Sequence, residues 1–177
     1  YASNFQSASL QENIIVAETE IRAKEIYETT ISKDAKPADD TEDSQEIKFK
    51  SFTTISEAIL DASPGQTIWV DNGVYHESLL IHKSVEIRAI EDKKVKIISQ
   101  SGDCVTLNAS CGRLDGLVLY CDTPGNSFCT RTLAGILELE KCYLDSNAAG
   151  CVRVERGARL TATGCQMNSL NGSSTSL

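Results

Sequence analysis

Aromatic residues make up only 6% of this 177-residue chain, which holds one Trp and one Met. Its core must therefore rest on Val, Ile, Leu, Ala and Cys side chains. No apolar run approaches the roughly 18 residues that a membrane-spanning helix needs, and no stretch has the charged-then-apolar pattern of a signal peptide. Clusters of Lys and Arg are missing too, and the net charge is −8. Because nucleic-acid binding depends on such clusters, we expect no nucleic acid among the ligands. Since no apolar run is long enough, we also expect no membrane.

Cysteine, by contrast, is frequent, but its spacing does not fit a metal site. All seven cysteines lie between Cys104 and Cys165, none in a Cys-x-x-Cys pair, and both histidines, His76 and His82, precede them. An odd number without short paired spacings is also a poor disulfide framework. We therefore expect reduced, buried cysteines, a cytoplasmic location, and no metal ion or other cofactor.

The acidic excess is concentrated near the N-terminus, where residues 1–50 hold 11 acidic and 6 basic side chains. Apolar residues from Leu10 to Ile21 recur at helical spacing and predict an amphipathic helix over residues 8–31. This helix either packs on its own domain or docks on a partner, and the pattern leaves both alternatives open.

Three segments follow from the distribution of apolar residues. Apart from Pro37, residues 32–46 have no apolar side chain larger than Ala, which predicts an acidic flexible linker. The chain thus divides into an amphipathic helical arm over residues 1–31, the linker, and a main domain over residues 47–177.

The main domain is predicted to begin with a strand and a short helix. Apolar and polar residues alternate over residues 47–52, as in a half-buried strand. Thr54 and Glu57 then have the spacing of a capping box, and Pro64 and Gly65 end the helix that follows. The apolar face of this helix is formed by Ile55, Ala58, Ile59 and Ala62. From residue 66 onward, short apolar runs separated by turns predict strands of about three to five residues.

A repeat in the second half of the chain indicates the fold. Units beginning at Cys104, Cys129 and Cys151 align at offsets of 25 and 22 residues. A parallel β-helix needs such a period, because each coil lays its strands over those of the previous coil at about 4.8 Å. The asparagine-centred pattern of leucine-rich repeats is missing, and a β-sandwich does not repeat copy by copy. We predict an all-β parallel β-helix whose open N-terminal end is capped by the short helix.

The stretch from Phe52 to Ile87 resembles the first coil of the pectin-lyase-like right-handed parallel β-helix superfamily. Three pieces carry the resemblance: the helix from Thr54 to Ile59, the run from Pro64 to Ile68, and the segment from Gly73 to Glu77. The resemblance implies the fold more strongly than the function. One branch contains extracellular polysaccharide-active proteins such as pectin methylesterases and polysaccharide lyases. The other contains intracellular proteins similar to the β-helix F-box proteins and the Shc SH2-domain-binding proteins, and we expect this chain to be nearer to the second branch.

The residues that carry chemistry in the enzyme branch are not found in the expected columns. Asp115 is predicted to stack on Glu140, but Thr163 interrupts that column. The column of Tyr120, Asp145 and Asn168 holds one carboxylate. The glutamine-rich and Asp-Phe-Ile-Phe-Gly patterns that the resemblance implies for an esterase do not occur, so no catalytic residue is assigned.

Arg131 and Arg153 are the candidate binding residues. They are predicted to stack with Thr106 before them and no carboxylate in the column. Two stacked like charges are unfavourable unless an anion or acidic partner lies between them, which makes the pair a candidate protein-binding site.

Our leading hypothesis is a non-catalytic β-helix scaffold or protein-interaction module in a larger intracellular assembly, with protein partners. The alternative is a carbohydrate-binding or pectin-active β-helix protein of which this chain is the N-terminal part, and a further alternative is a cytoskeletal or axonemal structural component. The last residues of the chain offer no apolar cap, so we expect further coils, or end-to-end or side contacts with another molecule, to cover that end.

Thiol titration separates the first two hypotheses. For an intracellular protein with reduced cysteines, denaturation without reductant should expose all seven thiols to a chromogenic thiol reagent. A smaller number, restored by prior reduction, would indicate disulfides and favour the extracellular, carbohydrate-active alternative.

Overall fold

A computed structural model describes residues 12–31, 49–99, 101–123 and 125–169. The strands are parallel and form a β-solenoid of about four turns, which confirms the predicted parallel β-helix. Each full coil contributes one strand to each of three sides, here named A, B and C. Strands on one side are joined by hydrogen bonds between successive coils, while the apolar side chains point inward.

Side A is the longest, and two strands pass from it around a corner onto side C. In spatial order, side A contains β2 (Phe49–Phe52), β1 (Asn13–Val16), β3 (Thr67–Val70), β6 (Glu86–Ala89), the second half of β8 (Val105–Asp115), the second half of β10 (Phe128–Glu140) and β13 (Arg159–Thr163). Side B contains β4 (Gly73–His76), β7 (Val95–Ile98), β9 (Leu117–Cys121), β11 (Tyr143–Ser146) and β14 (Gln166–Ser169). Side C contains β5 (Leu79–Ile81), the first halves of β8 and β10, and β12 (Gly150–Val154).

The register confirms the columns that the repeat predicts. On side A, Leu114 pairs with Leu139, which pairs with Ala162 in the next coil. On side C, the pair of Phe128 with Gly150 and that of Thr130 with Val152 place Cys129 opposite Cys151. Equivalent positions of successive coils therefore stack on each other, and columns of apolar side chains fill the interior.

The corner between sides C and A depends on a glycine. The pairing of β10 with β8 shifts register on both sides of Ala134, and Gly135 next to it has a φ of 72°. A Cβ at Gly135 would come within 2.1 Å of the Ala109 carbonyl oxygen. Both the positive φ and this close approach require glycine, which lets the long strand turn without losing its partner.

The prediction of one helix over residues 8–31 is wrong in its first part. Asn13–Val16 is the strand β1, which pairs with β2 on one edge and β3 on the other. Ile14 points into the solenoid core, and its neighbour Ile15 points to the outside, yet both are at most 1% exposed. Consecutive β-branched residues buried on both faces are typical of a central parallel strand rather than of an amphipathic helix.

Only the end of the predicted region is helical. Helix α1 (Glu20–Ile26) begins at the N-cap Thr19 and continues as one π-helical turn over Tyr27–Ile31. Ile21, which was assigned to the apolar stripe, is 75% exposed. The apolar face is formed instead by Ala23, Ile26 and Ile31, which pack with Ile15 and Trp69 on the outer surface of side A. The helix therefore packs on its own solenoid, as one of the two alternatives proposed.

Helix α2 (Ile55–Asp61) closes the N-terminal end of the solenoid, as predicted. Ile55, Ala58, Ile59 and Ala62 are at most 2% exposed within the main core, and each buried Ile contributes about 2 kcal/mol. This apolar face covers the open end of the first coil, where unpaired core residues would otherwise meet water.

Both ends of α2 are held by charged residues from the first coil. At the N-terminus Thr54 Oγ1 accepts from the Glu57 amide at 3.3 Å, but the capping carboxylate belongs to Glu77. Glu77 accepts hydrogen bonds of 2.9 Å from the amides of Ile55 and Ser56. At the C-terminus, Lys83 Nζ donates to the Leu60 and Ala62 carbonyls, each at 2.8 Å. These charges complement the helix dipole.

The cysteines form part of the core, as predicted. All seven are free thiols, and only Cys111 and Cys165 are partly exposed. Burial raises the pKa of Cys104 to about 12. The pKa of Cys165, by contrast, is lowered, and its interaction with the Cys142 side chain is the largest cause.

Several expectations fall on residues outside the described ranges. These are the linker over residues 32–46, the start of the arm and the uncapped last residues of the chain. The predicted domain boundaries therefore stay predictions. Within the described part of the chain, no helix is both long and apolar enough to cross a membrane.

The Glu77 cap can be tested by Glu77→Gln, which removes the charge and one of the two acceptor oxygens for backbone amides. We expect a loss of about 1 kcal/mol in the free energy of unfolding, or about 3 °C in melting temperature. The matched control is Glu57→Gln, the same change at an exposed position of the same helix. A Glu77→Gln variant that melts at the temperature of the wild type would show that Glu77 does not stabilise the helix.

Candidate functional site

The outer surface of side A carries two neighbouring columns of polar side chains. Alternate residues of each strand point outward, so positions two residues apart lie side by side on the same surface. The first column is Thr67, Glu86, Arg113, Glu138 and Thr161, and the second is Trp69, Arg88, Asp115, Glu140 and Thr163. We name Trp69, Glu86, Arg88, Arg113, Asp115 and Glu140 the side A cluster.

Arg88 joins the two columns. Its Nη2 donates to Glu86 Oε1 at 2.7 Å, and its Nε lies 3.1 Å from Asp115 Oδ2. Its guanidinium also lies over the Trp69 ring, 5.3 Å from the ring centre. One cation is thus shared between two carboxylates from different coils and an aromatic face.

Arg113 makes the second bridge in the cluster. Its Nε lies 3.4 Å from Glu86 Oε1, and its Nη2 donates to the Glu140 carboxylate of the next coil. Glu86 receives a further hydrogen bond of 2.9 Å from Thr67 Oγ1. With its side chain 6% exposed, Glu86 is the buried centre of the network.

Asp115 is less well satisfied than Glu86. Its residue is 7% exposed, and its buried Oδ1 has no hydrogen-bond partner. Burial raises the pKa of the Asp115 carboxyl above its ordinary value, and the attraction of Arg88 only partly offsets this effect. The neighbouring carboxylate of Glu140 raises the pKa further. Asp115 is therefore a carboxyl group that can accept a hydrogen bond or hold a proton at higher pH than a surface aspartate.

Helix α1 borders the side A cluster at β3, the first strand of the chain that contributes to it. Trp69 packs against the small outer core that holds Ala23 and Ile26, and the Arg88 guanidinium lies over its ring. Towards the C-terminal end, Thr161 and Thr163 continue the columns with small hydroxyl side chains. The cluster thus lies on an open strand surface that helix α1 borders on one side.

A separate, concave feature lies between helix α1 and the turn after β3. It is an open cleft of about 620 Å³, and its lining includes Thr19, Arg22, Asp71 and Tyr75. Arg22 donates to both oxygens of Asp71, at 2.9 and 3.1 Å. Because this ion pair joins α1 to the first coil, the charges of the cleft serve the packing of the helix.

Arg131 and Arg153 stack as predicted, with Thr106 before them. Their charges, however, are compensated within the chain. Glu155 Oε1 lies 3.3 Å from Arg131 Nε and 2.8 Å from Arg153 Nε, and Arg131 also pairs with Asp103 at 3.2 Å. The two guanidinium groups, Arg153 first, hold the pKa of Glu155 below its ordinary range. The repulsion that pointed to an external anion is therefore relieved by the chain itself, and protein binding at this pair stays a prediction.

The other predicted columns are present, but the sequence analysis missed most of the side A cluster. Asp115 pairs with Glu140, and Tyr120 pairs with Asp145, as predicted. Trp69, Glu86, Arg88 and Arg113 were not recognised as their neighbours. The available signal was a pair of charged–apolar–charged triplets, Glu86 to Arg88 and Arg113 to Asp115.

Both histidines lie exposed on the first coil. Among the described residues, no group of three or more potential ligands is arranged to hold a metal ion.

Comparison with known proteins identifies the fold. No family model and no curated protein matches the chain. In structure it is similar to a pectin methylesterase mutant crystallised in complex with a hexasaccharide, with a TM-score of 0.66 and 14% sequence identity. The match covers 91% of this chain and 50% of the other, so the chain spans about half the length of that enzyme. The likeness shows the parallel β-helix fold, and it does not support the predicted nearness to the intracellular F-box and Shc-binding branch.

The raised pKa of Asp115 predicts how stability depends on pH. The folded chain holds this proton more tightly than the unfolded chain, so the contribution of Asp115 to stability falls as the pH rises from about 4. Asp115→Asn removes this titration. The free energy of unfolding of the variant, relative to wild type, should therefore increase between pH 4 and pH 7 in urea titrations.

The matched control for this experiment is Asp122→Asn, the same change at an exposed position after β9. A relative stability of the Asp115 variant that is constant or decreases over this pH range would contradict the role of burial at Asp115.

Proposed function

We propose that the chain is a carbohydrate-binding β-helix and that the side A cluster contacts the sugar chain. The observation that carries this proposal is the alignment of carboxylates and guanidinium groups from successive coils beside Trp69 on one outer strand surface. Sugar hydroxyls both donate and accept hydrogen bonds, so they match a surface that offers both kinds of group. The indole ring of Trp69, which packs against the side chains of helix α1 and lies under the Arg88 guanidinium, bounds this surface at its first strand.

The dimensions of the cluster favour an oligosaccharide over a single sugar. Its members come from β3, β6, β8 and β10, which are successive strands of side A. From β6 to β10, two steps at the spacing of adjacent strands give an open surface about 10 Å long. A ligand with several sugar units can contact every coil of this surface at once.

The fold likeness supports the same proposal. The structurally similar pectin methylesterase was crystallised with a hexasaccharide, so a solenoid of this kind holds a sugar chain in that protein. At 14% identity the likeness carries the fold and not the activity. Our proposal therefore concerns binding, and no catalytic residue is transferred from that enzyme.

The scaffold hypothesis rests on different residues. Its candidate binding residues were Arg131 and Arg153, whose charges are compensated by Glu155 and Asp103 within the chain. A protein-interaction module, with its cytoplasmic or cytoskeletal location, stays a prediction without a structural site to carry it.

Oligosaccharide binding by the 177-residue protein tests the proposal. Hexasaccharides of several neutral and acidic sugars are titrated against the wild type and Arg113→Gln, with dissociation constants measured by calorimetry. Loss of one charged hydrogen-bonding group is worth about 1.5–3 kcal/mol. We therefore expect binding of at least one hexasaccharide to weaken by about 10- to 100-fold in the variant.

The matched control is Arg156→Gln, the same substitution in the exposed turn after β12, which should bind as the wild type does. Melting curves for each variant separate loss of binding from loss of folding. Failure of every hexasaccharide to bind at millimolar concentration would refute the proposal, and equal weakening by both substitutions would place the binding site elsewhere.

A further inference from the structure

The charge balance of the side A cluster bears on which sugars it can bind. Both guanidinium groups are already occupied by carboxylates of the chain. Arg88 pairs with Glu86 and Asp115, and Arg113 pairs with Glu86 and Glu140. Neither arginine of the cluster is thus available to form an ion pair with a carboxylate on the ligand without giving up one within the chain.

Carboxylates outnumber cations on this surface. The cluster contains three carboxylates and two guanidinium groups, and Glu138 stands beside Glu140 in the adjacent column. Lys141 lies next to the cluster, but it is 3.8 Å from Asp92. The whole chain carries a net charge of −8. A sugar chain with a carboxylate on each unit would therefore meet a surface of its own sign.

The unpaired atoms of the cluster call for a group that donates and accepts. Asp115 Oδ1, in a side chain that is 10% exposed, has no donor, and Arg88 Nε makes no directed hydrogen bond despite its 3.1 Å distance from Asp115 Oδ2. The Nε of Arg113 likewise makes no directed hydrogen bond, although it lies 3.4 Å from Glu86 Oε1. A hydroxyl can satisfy an acceptor and a donor together, whereas an ionised sugar carboxylate offers acceptors only. The side chains of Arg88 and Arg113, 33% and 22% exposed, are the flexible parts that a ligand can displace to reach these atoms.

We propose that the side A cluster selects uncharged, hydroxyl-rich sugar chains and discriminates against polyuronates. This inference rests on the proposed function and deepens it, because it names the chemical class of the ligand. Selectivity arises from the acceptor-rich, internally ion-paired surface, which gains hydrogen bonds from hydroxyls and gains no ion pair from a uronate.

A matched pair of ligands tests the inference. Galacturonate hexasaccharide is compared with its fully esterified, uncharged form, and a neutral galactose hexasaccharide identifies whether the ester itself is required. Dissociation constants are measured at low and at physiological salt. We expect the uncharged hexasaccharides to bind about tenfold more tightly than the uronate at low salt, and added salt should strengthen only uronate binding, since it screens repulsion.

Two variants assign this selectivity to the cluster. Glu140→Gln removes one of its carboxylates and should reduce the preference for the uncharged form several-fold. Glu57→Gln makes the same change on helix α2, away from the cluster, and should leave the preference unaltered. Melting curves again report on folding.

The outcomes separate this inference from the proposed function. If the uronate binds as tightly as its ester, or if added salt weakens its binding, the selectivity is refuted while carbohydrate binding stands. An unchanged preference in Glu140→Gln would also refute the assignment to the cluster. Binding of none of these hexasaccharides would refute the selectivity, and the proposed function itself is refuted only if every other sugar tested also fails to bind.

Discussion

Hydrogen bonding between parallel strands of successive coils is the constraint on which the structure depends. Each coil must follow the one before it at about 4.8 Å, so every side chain has an equivalent one above and below it. Inside the solenoid this places Leu114 beside Leu139 and Cys129 opposite Cys151, and the narrow core is filled without large aromatics. The low aromatic content of the chain is a consequence of this geometry, because stacked medium-sized side chains suit a narrow interior.

The same stacking determines the electrostatics of the outer surface. Where charged residues follow each other in a column, they compensate or repel each other. On side A, Glu86, Arg113 and Glu138 alternate in sign along one column, and Arg88 links that column to Asp115 in the next. The exception is the contact of Asp115 with Glu140, where two carboxylates follow each other and the pKa of Asp115 is raised. A solenoid thus concentrates functional groups by the same register that holds it together.

The N-terminal part of the chain limits where that surface is accessible. Strand β1 is inserted between β2 and β3, and helix α1 then crosses the outside of side A over Ile15 and Trp69. The first strands of side A are therefore covered, while the strands that follow leave their polar columns open. Helix α2 closes the interior at the same end, with Glu77 and Lys83 fixing its two termini. The two helices consequently cover the N-terminal end of the solenoid, and the binding surface we propose begins beyond helix α1.

By itself the sequence determined the period, the parallel β-helix, the capping helix and the buried cysteines, because each is recorded in the spacing of neighbouring residues. It misassigned Ile14 and Ile15, since adjacent β-branched residues fit one turn of a helix as well as a strand buried on both faces. Only the tertiary structure decided that Trp69, Arg88 and Asp115 stand in one column, although 19 and then 27 residues separate them. The physical reason is that turns of unequal length connect the early coils, so the register there is set by hydrogen bonding between strands and not by distance along the chain.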